Sequence, residues 1–296
     1  MKLLVTGGTG FIGSTLCQTL AQRGHDLLMV SRSPQPPRSN RRAVSWDDLE
    51  RRDMLTALDG VVHLAGESIA AKPWTPAQKA LIRDSRIQTT RRLVRALAAL
   101  VKKPAVFVSA SAVGYYGPRG EEPLTEADPP GTGFLAEVSQ AWEGEARQAE
   151  AFGIRVVRLR LGVVLAPGGG ALAKMVPPFR AFLGGPLGSG RQWMSWIHRD
   201  DVIGLIEWSL THPDCVGAVN ATAPGPVTMR EFCRALGRAL RRPSWAPVPA
   251  PVLRLLLGEM AEMLLTGQRV MPQAAQRSGY AFRYPDLSAA LAACVS

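Results

Sequence analysis

The residues whose spacing most clearly indicates chemistry are three glycines near the N-terminus, in the pattern Gly7-x-x-Gly10-x-x-Gly13. A short apolar run precedes them and apolar residues at helical spacing follow, which predicts a strand, a tight turn and a helix. In such a turn the glycines permit the sharp reversal, the approach of a phosphate to the backbone, and close packing of helix on sheet, while the helix N-terminus favours an anion. The pattern predicts dinucleotide binding along the whole turn, through Gly7, Thr9, Gly10, Phe11, Ile12 and Gly13.

The residues after the second predicted strand indicate which dinucleotide is bound. A site for NAD usually places Asp or Glu there to accept hydrogen bonds from the ribose. This sequence instead has Ser31-Arg32-Ser33. An arginine can pair with a 2′-phosphate through two hydrogen bonds, whereas a carboxylate would repel it. We therefore predict NADP(H), held at Ser31 and Arg32; the alternative is that Arg32 is an exposed loop residue.

The elements that must position this turn follow from the alternation of short apolar runs with helical segments. Continuous apolar runs are typical of parallel strands buried on both faces. The alternation predicts an α/β fold, a Rossmann-type doubly wound parallel sheet with a smaller C-terminal substrate lobe. Strands are expected at 3–6, 26–31, 43–46, 60–65, 105–109 and 154–161, and helices at 48–58, 75–101, 200–210, 228–240 and 253–265. We expect a Rossmann domain at 1–165, to which parts of 190–222 return, substrate-lobe segments at 166–240 and a further domain at 250–296.

Composition narrows the function classes. The net charge is +11, but the arginines are scattered and the densest cluster lacks the interleaved aromatic residues of a base-stacking surface. The four cysteines are far apart and match neither a disulfide framework nor a metal site. No apolar stretch is long enough to span a bilayer. We expect a cytoplasmic protein with a small-molecule substrate, no nucleic-acid or membrane partner and no bound metal.

Four motifs occur in a recognisable order along residues 1 to about 240. They are Thr6–Gly13, His63-Leu64-Ala65-Gly66, Ser109–Gly117 and Trp196–Val202. Together they resemble the extended short-chain dehydrogenases, the NAD-dependent epimerase/dehydratase family. The segment around 258–270 is similar to the C-terminal domain of unknown function found in one epimerase-like subgroup.

The resemblance implies further cofactor contacts. Leu64, Ala65 and Gly66 would line the adenosine side, Arg86 would face the cofactor from the following helix, and Val163 would lie in the loop that receives the nicotinamide. The alternative is that Leu64 and Val163 are ordinary sheet residues and that Arg86 is solvated. Family members often pair through two helices, so the resemblance also implies a homodimer.

The sequence departs from the family where acid/base chemistry is expected. Hydride chemistry in this family uses a tyrosine activated by a lysine four residues later, because an unperturbed phenol is a poor base at neutral pH. If the tyrosine position is Phe134, the lysine position is Val138; if it is Leu135, the lysine position is Ser139. Neither alignment contains the pair.

Acid/base chemistry must then come from other residues of the cleft. Ser111, Tyr115 and Tyr116 follow the fifth strand at its carboxyl end, where open α/β sheets bind ligands. Glu67, directly after the fourth strand, is a second candidate base. The alternative for the two tyrosines is that they only shape a turn. His198 is expected to orient the substrate loop and cap a helix together with Asp200 rather than bind a metal, since no second His or Cys lies at the spacing of metal ligands.

The leading hypothesis is an NADP(H)-dependent oxidoreductase or nucleotide-sugar-epimerase-like enzyme acting on a small polar substrate. The alternative is a non-catalytic NADP(H)-binding protein that senses redox state or scaffolds a partner. Fold alone does not decide between them.

Overall fold

The computed structural model describes residues 1–31, 40–50, 55 and 57–295. The strands of this part of the chain are β1 (Lys2–Thr6), β2 (Asp26–Val30), β3 (Arg41–Val44), β4 (Gly60–His63), β5 (Val106–Ala112), β6 (Pro123–Leu124), β7 (Arg155–Leu161), β8 (Val163–Leu165), β9 (Trp193–Met194), β10 (Trp196–His198), β11 (Gly217–Ala221), β12 (Val227–Thr228) and β13 (Arg269–Val270). The helices are α1 (Gly13–Gln22), α2 (Pro76–Ala98), α3 (Phe134–Arg147), α4 (Gly170–Arg180), α5 (Arg199–Thr211), α6 (Met229–Leu240), α7 (Ala250–Leu257), α8 (Glu262–Leu265), α9 (Gln273–Arg277) and α10 (Leu287–Val295).

The main sheet of the described residues has seven strands in the order β11-β7-β5-β4-β1-β2-β3. Every pairing in it is parallel. The order reverses at β1, so β2 and β4 lie on either side of it and the glycine turn follows β1 at the topological switch point, where open α/β sheets bind ligands. The predicted fold class is confirmed.

Alternate strand residues enter separate apolar layers on the two faces of this sheet. Leu3 and Val5 pack with Leu16 of α1 on one face, whereas Leu4 and Phe107 pack with α2 and α3 on the other. A third apolar cluster joins α4, α6 and α10 in the smaller lobe. Burial on both faces is the physical reason that these strands read as continuous apolar runs.

The predicted helices that start near 75 and 228 both begin at a threonine cap. The Thr75 hydroxyl accepts a hydrogen bond from the amide of Gln78, with Pro76 in the first turn of α2. Thr228 and Glu231 form a complete capping box at the start of α6. These signals are local, which is why both helix starts could be predicted.

Two predicted helices differ from the structure within its described residues. The segment 253–265 is not one helix, because Gly258 takes a φ of 58° and ends α7. The segment 48–58 contains a short 3-10 turn at Asp47–Glu50, and several of its remaining residues lie outside the described part. The sheet also has an edge strand, β11, that was not among the predicted strands.

Candidate functional site

The glycine turn is built so that two of its positions exclude any side chain. Gly7 has a φ of 71° and a Cβ there would lie 2.7 Å from the carbonyl carbon of Leu64. A Cβ on Gly13 would lie 2.1 Å from the Gly7 carbonyl oxygen, which also accepts a hydrogen bond from the Gly10 amide at 3.0 Å. No side chain caps the start of α1 at Ile12. The turn is therefore a backbone cradle at a helix N-terminus, which fits the diphosphate of a dinucleotide.

A buried histidine fixes the strand end beside the turn. The Nδ1 atom of His63 is 2.6 Å from the Thr6 hydroxyl and its Nε2 atom is 2.9 Å from the Thr90 hydroxyl. Thr90 donates its own proton to the Arg86 carbonyl, so Nε2 must donate to Thr90 and Nδ1 must accept from Thr6. Complete burial lowers the pKa of His63 to about 3. The neutral ring thus ties β1 and β4 to α2.

Arg86 of α2 lies beside Gly66 at the end of β4. A Cβ on Gly66 would be 3.3 Å from the Arg86 Cζ atom, so the guanidinium covers the glycine. Its Nη1 atom donates to the Ile82 carbonyl at 2.9 Å, and Cζ is 5.2 Å from the Trp142 ring centroid. Burial lowers the pKa of Arg86 to about 10, opposed by the charge of Glu67. The side chain stays cationic at neutral pH and fits an anionic ligand.

The remaining predicted cofactor residues are placed as follows. The ring of Phe11 packs against Gly169 and Gly170, where a Cβ would come within 2.4 and 2.8 Å of it. Val163 is half-buried and its amide donates to the Ser195 carbonyl at 2.8 Å. Ser31 is half-buried after β2, whereas Arg32 lies outside the described residues. The smaller lobe thus contacts the glycine turn directly.

A buried polar cluster lies behind the predicted catalytic residues. Arg160 on β7 donates from Nε to Oε1 of Glu143 at 2.8 Å and from Nη2 to Oε2 at 3.0 Å. Ser111 also donates to Oε1 at 2.8 Å. The Arg160 Nη1 atom is 2.9 Å from the Tyr116 hydroxyl. Sequence reasoning missed Arg160, although an arginine within a strand predicted to be buried was a signal that it needs a carboxylate partner.

The three predicted acid/base residues differ in whether their hydroxyls are already hydrogen-bonded. The Tyr116 hydroxyl is 2.7 Å from Oδ1 of Asn220, and burial raises the pKa of Tyr116 to about 12. The Ser111 hydroxyl donates its hydrogen bond to Glu143. The ring of Tyr115 lies against Arg160, with Cζ 3.5 Å from its centroid. Among the described residues the Tyr115 hydroxyl has no hydrogen-bond partner, so it is the group free to act on a ligand.

The helix that should carry the tyrosine and lysine presents neither. The Phe134 ring of α3 lies 5.2 Å from the Trp74 ring and 4.9 Å from Nζ of Lys79. Val138 and Ser139 are buried. The amide of Glu67, the other candidate base, donates to the Ser85 hydroxyl at 2.9 Å. The first residue of α3 therefore makes an aromatic contact, and this helix contains no tyrosine and lysine pair that could transfer a proton.

His198 caps α5 as expected, since Nδ1 accepts from the Asp200 amide at 3.2 Å. Its ring lies 4.0 Å from that of Tyr284. Within the described part of the chain, no group of three metal-ligating side chains converges, and no helix has the length and hydrophobicity needed to cross a membrane.

Comparison with known proteins identifies the family. Residues 3–221 match the model of the NAD dependent epimerase/dehydratase family, and residues 248–294 match a domain of unknown function, DUF1731. The chain belongs to the NAD-dependent epimerase/dehydratase family. The predicted resemblance is confirmed in both parts.

Relatives match the chain along its whole length. The chloroplastic epimerase family protein SDR39U1 homolog of Arabidopsis thaliana is 43% identical over 99% of this chain and 86% of the relative. Epimerase family protein YfhF of Bacillus subtilis is 38% identical over 100% of this chain and 98% of its own. Both names place the relatives in an epimerase family without naming a substrate.

Solved structures agree with the fold. Human SDR39U1 isoform 2, crystallised with NADPH, is 37% identical with a TM-score of 0.92 and covers 100% of this chain and 99% of its own. A nucleoside-diphosphate sugar epimerase from Corynebacterium glutamicum is 32% identical with a TM-score of 0.78, and 58% of that longer chain is covered. The NADPH in the human relative agrees with the cofactor predicted from Ser31 and Arg32.

Proposed function

We propose that the chain binds NADP(H) and works as an NADP(H)-dependent oxidoreductase or epimerase-like enzyme on a small polar substrate. The observation that carries this proposal is the glycine turn, whose geometry excludes side chains at Gly7 and Gly13 and leaves the start of α1 uncapped. The NADPH-bound human relative, similar over nearly its full length, supports it. The proposal includes a cytoplasmic location and a homodimer.

Each part of the cofactor would meet a distinct group of this chain. The backbone of the turn would hold the diphosphate, and Arg86 would meet an anionic or polar group beside Gly66. Arg32 would select the 2′-phosphate, and Val163 would lie near the nicotinamide. When bound, the cofactor supplies or accepts a hydride. The chain must then supply the proton.

Tyr115 is the proposed proton donor. Its hydroxyl is free, and Arg160 holds its ring from one face. Arg160 is itself fixed by two hydrogen bonds to Glu143. A side chain held in place by its neighbours can transfer a proton without first being ordered. Tyr116 and Ser111 would support this arrangement, since both of their hydroxyls are already hydrogen-bonded.

The test combines binding with turnover. Calorimetry with NADPH and NADH measures cofactor preference, which Arg32→Ala should abolish. Cofactor absorbance is then followed with ketones, quinones and nucleotide sugars. Tyr115→Phe should retain NADPH binding and lose at least about tenfold in turnover. Tyr284→Phe, another half-buried tyrosine, is the matched control and should retain both.

A second candidate function is a non-catalytic NADP(H)-binding redox sensor or scaffold. It is favoured by one observation, the replacement of the tyrosine and lysine on α3 by an apolar or hydroxyl side chain in either alignment. Tight NADPH binding without turnover of any substrate class, unchanged by Tyr115→Phe, would support this function and contradict catalysis.

A further inference from the structure

The smaller lobe carries an exposed apolar cluster next to an arginine groove. Phe182, Leu183 and Trp245 are 54%, 61% and 65% exposed. They are adjacent, since the Trp245 indole donates to the Phe182 carbonyl at 2.9 Å. Bulky apolar side chains concentrated at one exposed place are unusual on a soluble surface and mark an interaction site.

The groove beside this cluster contains only basic, small and hydroxyl side chains. It has a volume of about 380 Å³ and is lined by Arg234, Gly237, Arg238, Arg241, Arg242 and Ser244. Arg242 joins the groove to the apolar cluster, because its Cζ atom lies 4.5 Å from the Phe182 ring centroid. Arg238, Arg241 and Arg242 form no ion pair with any described residue. Phe182, Leu183, Trp245 and these three arginines are called the basic-aromatic patch below.

The backbone holds the patch in an unfavourable conformation. Phe182 has a φ of 63°, a region that bulky residues seldom occupy. Three hydrogen bonds hold this conformation. The Phe182 amide donates to the Phe179 carbonyl, and the Leu183 amide donates to the Pro178 carbonyl. The third is the bond from the Trp245 indole to the Phe182 carbonyl. The fold thus maintains an exposed ring where glycine would be easier to accommodate.

We propose that the basic-aromatic patch binds the surface of a membrane containing anionic phospholipids. Aromatic and leucine side chains enter the boundary between headgroups and acyl chains, while arginines attract anionic headgroups. This proposal is independent of NADP(H) binding and turnover. It differs from the expectation of no membrane partner. The sequence did not reveal the patch, because the patch joins residues near 182 and 245 that are far apart in sequence.

Other occupants fit the observations less well. A second copy docking its own patch symmetrically would place arginines against arginines. A nucleic acid would pair with the arginines and stack on the rings, but the exposed Leu183 offers it nothing. A lipid surface uses all three kinds of side chain.

The test is sedimentation of the full chain with vesicles of phosphatidylcholine alone and of phosphatidylcholine mixed with phosphatidylglycerol. We expect binding to the mixed vesicles only, weakened by salt. The doubly substituted Arg241→Glu, Arg242→Glu chain should lose affinity by about tenfold or more. Phe182→Gly with Leu183→Ser should also weaken binding without loss of folding, because glycine accepts the φ of 63°.

Control variants and a spectroscopic measurement make the outcomes separable. Leu255→Ser with Leu256→Ser removes two side chains of α7 that are 86% and 69% exposed, and should bind as the original chain does. A blue shift of tryptophan emission on mixed vesicles should disappear in Trp245→Phe. Equal binding to both vesicles, loss of binding only in the α7 variant, or binding of a single-stranded oligonucleotide but of no vesicle would each overturn the proposal.

Discussion

Arg160 and Glu143 are the residues on which the candidate catalytic region depends most. Their side chains are 3% and 4% exposed, and Glu143 also accepts from Arg158 at 3.2 Å. Two guanidinium groups converge on one carboxylate in the protein interior. Removing that carboxylate leaves buried positive charge without compensation, which costs far more than the pair itself contributes.

We therefore expect Glu143→Ala to lower the free energy of unfolding by about 3–5 kcal/mol, measured by urea denaturation. Glu259→Ala is the control, because Glu259 is 67% exposed in its ion pair with Lys79 and should change stability by less than about 1 kcal/mol. Similar small effects for both variants would contradict the role given to the buried cluster.

His63 predicts a pH dependence of stability. Its pKa in the folded chain is about 3, below the ordinary value of 6.5. As the pH falls below 6.5, the unfolded chain takes up a proton that the folded chain refuses until about pH 3, so stability is lost on acidification. The loss attributable to His63 should be about 1.4 kcal/mol per pH unit.

The measurement compares urea unfolding of the original chain and His63→Gln between neutral and mildly acidic pH. Glutamine cannot become charged, so the two curves should differ by that slope, the original chain losing more stability as the pH falls. His198 also has a lowered pKa and is present in both proteins, so its effect cancels. Parallel curves would show that His63 is not held neutral.

At the scale of elements, the role of the glycine turn can be tested with one glycine variant inside the turn and a matched glycine variant in α3. Gly13→Ala would place its Cβ 2.1 Å from the Gly7 carbonyl oxygen, whereas a Cβ on Gly144 of α3 meets nothing within 4 Å. We expect Gly13→Ala to weaken NADPH binding by at least about tenfold by calorimetry. Gly144→Ala should retain binding and stabilise α3 by about 0.5–1 kcal/mol. Equal NADPH affinity in the two variants would remove the turn from the cofactor site.

The elements also show which features a sequence can predict. β1, β2 and β4 were predictable because burial on both faces produces uninterrupted apolar runs, and α2 and α6 because their caps are local. The break at Gly258 was missed because a glycine inside an apolar segment does not reveal its φ. The cluster of Glu143 and Arg160 was missed because it joins α3 to β7, and only the folded sheet brings them together.

At the scale of the whole molecule, two carboxylates tie the C-terminal segment into the rest of the fold, the buried Asp201 and the half-buried Glu126. The carboxylate of Asp201 accepts from the backbone amides of Arg283 and Tyr284 at 2.6 and 2.9 Å. Glu126 likewise accepts from the amides of Asn220 and Ala274. The β13–β6 pairing and the packing of α10 against α6 extend these ties.

This arrangement predicts that residues 248–294 are not an independent unit, although they match a separate family model. Asp201 is 1% exposed, so Asp201→Ala leaves two partly buried amides without their acceptor and should cost about 1–3 kcal/mol. Tryptophan fluorescence and far-ultraviolet circular dichroism should give coincident unfolding curves for the original chain. Asp214→Ala, at an exposed position, should match the original chain. Residues 248–294 contain helices but no tryptophan, so an early transition in circular dichroism, ahead of the change in fluorescence, would instead show that the C-terminal segment unfolds alone.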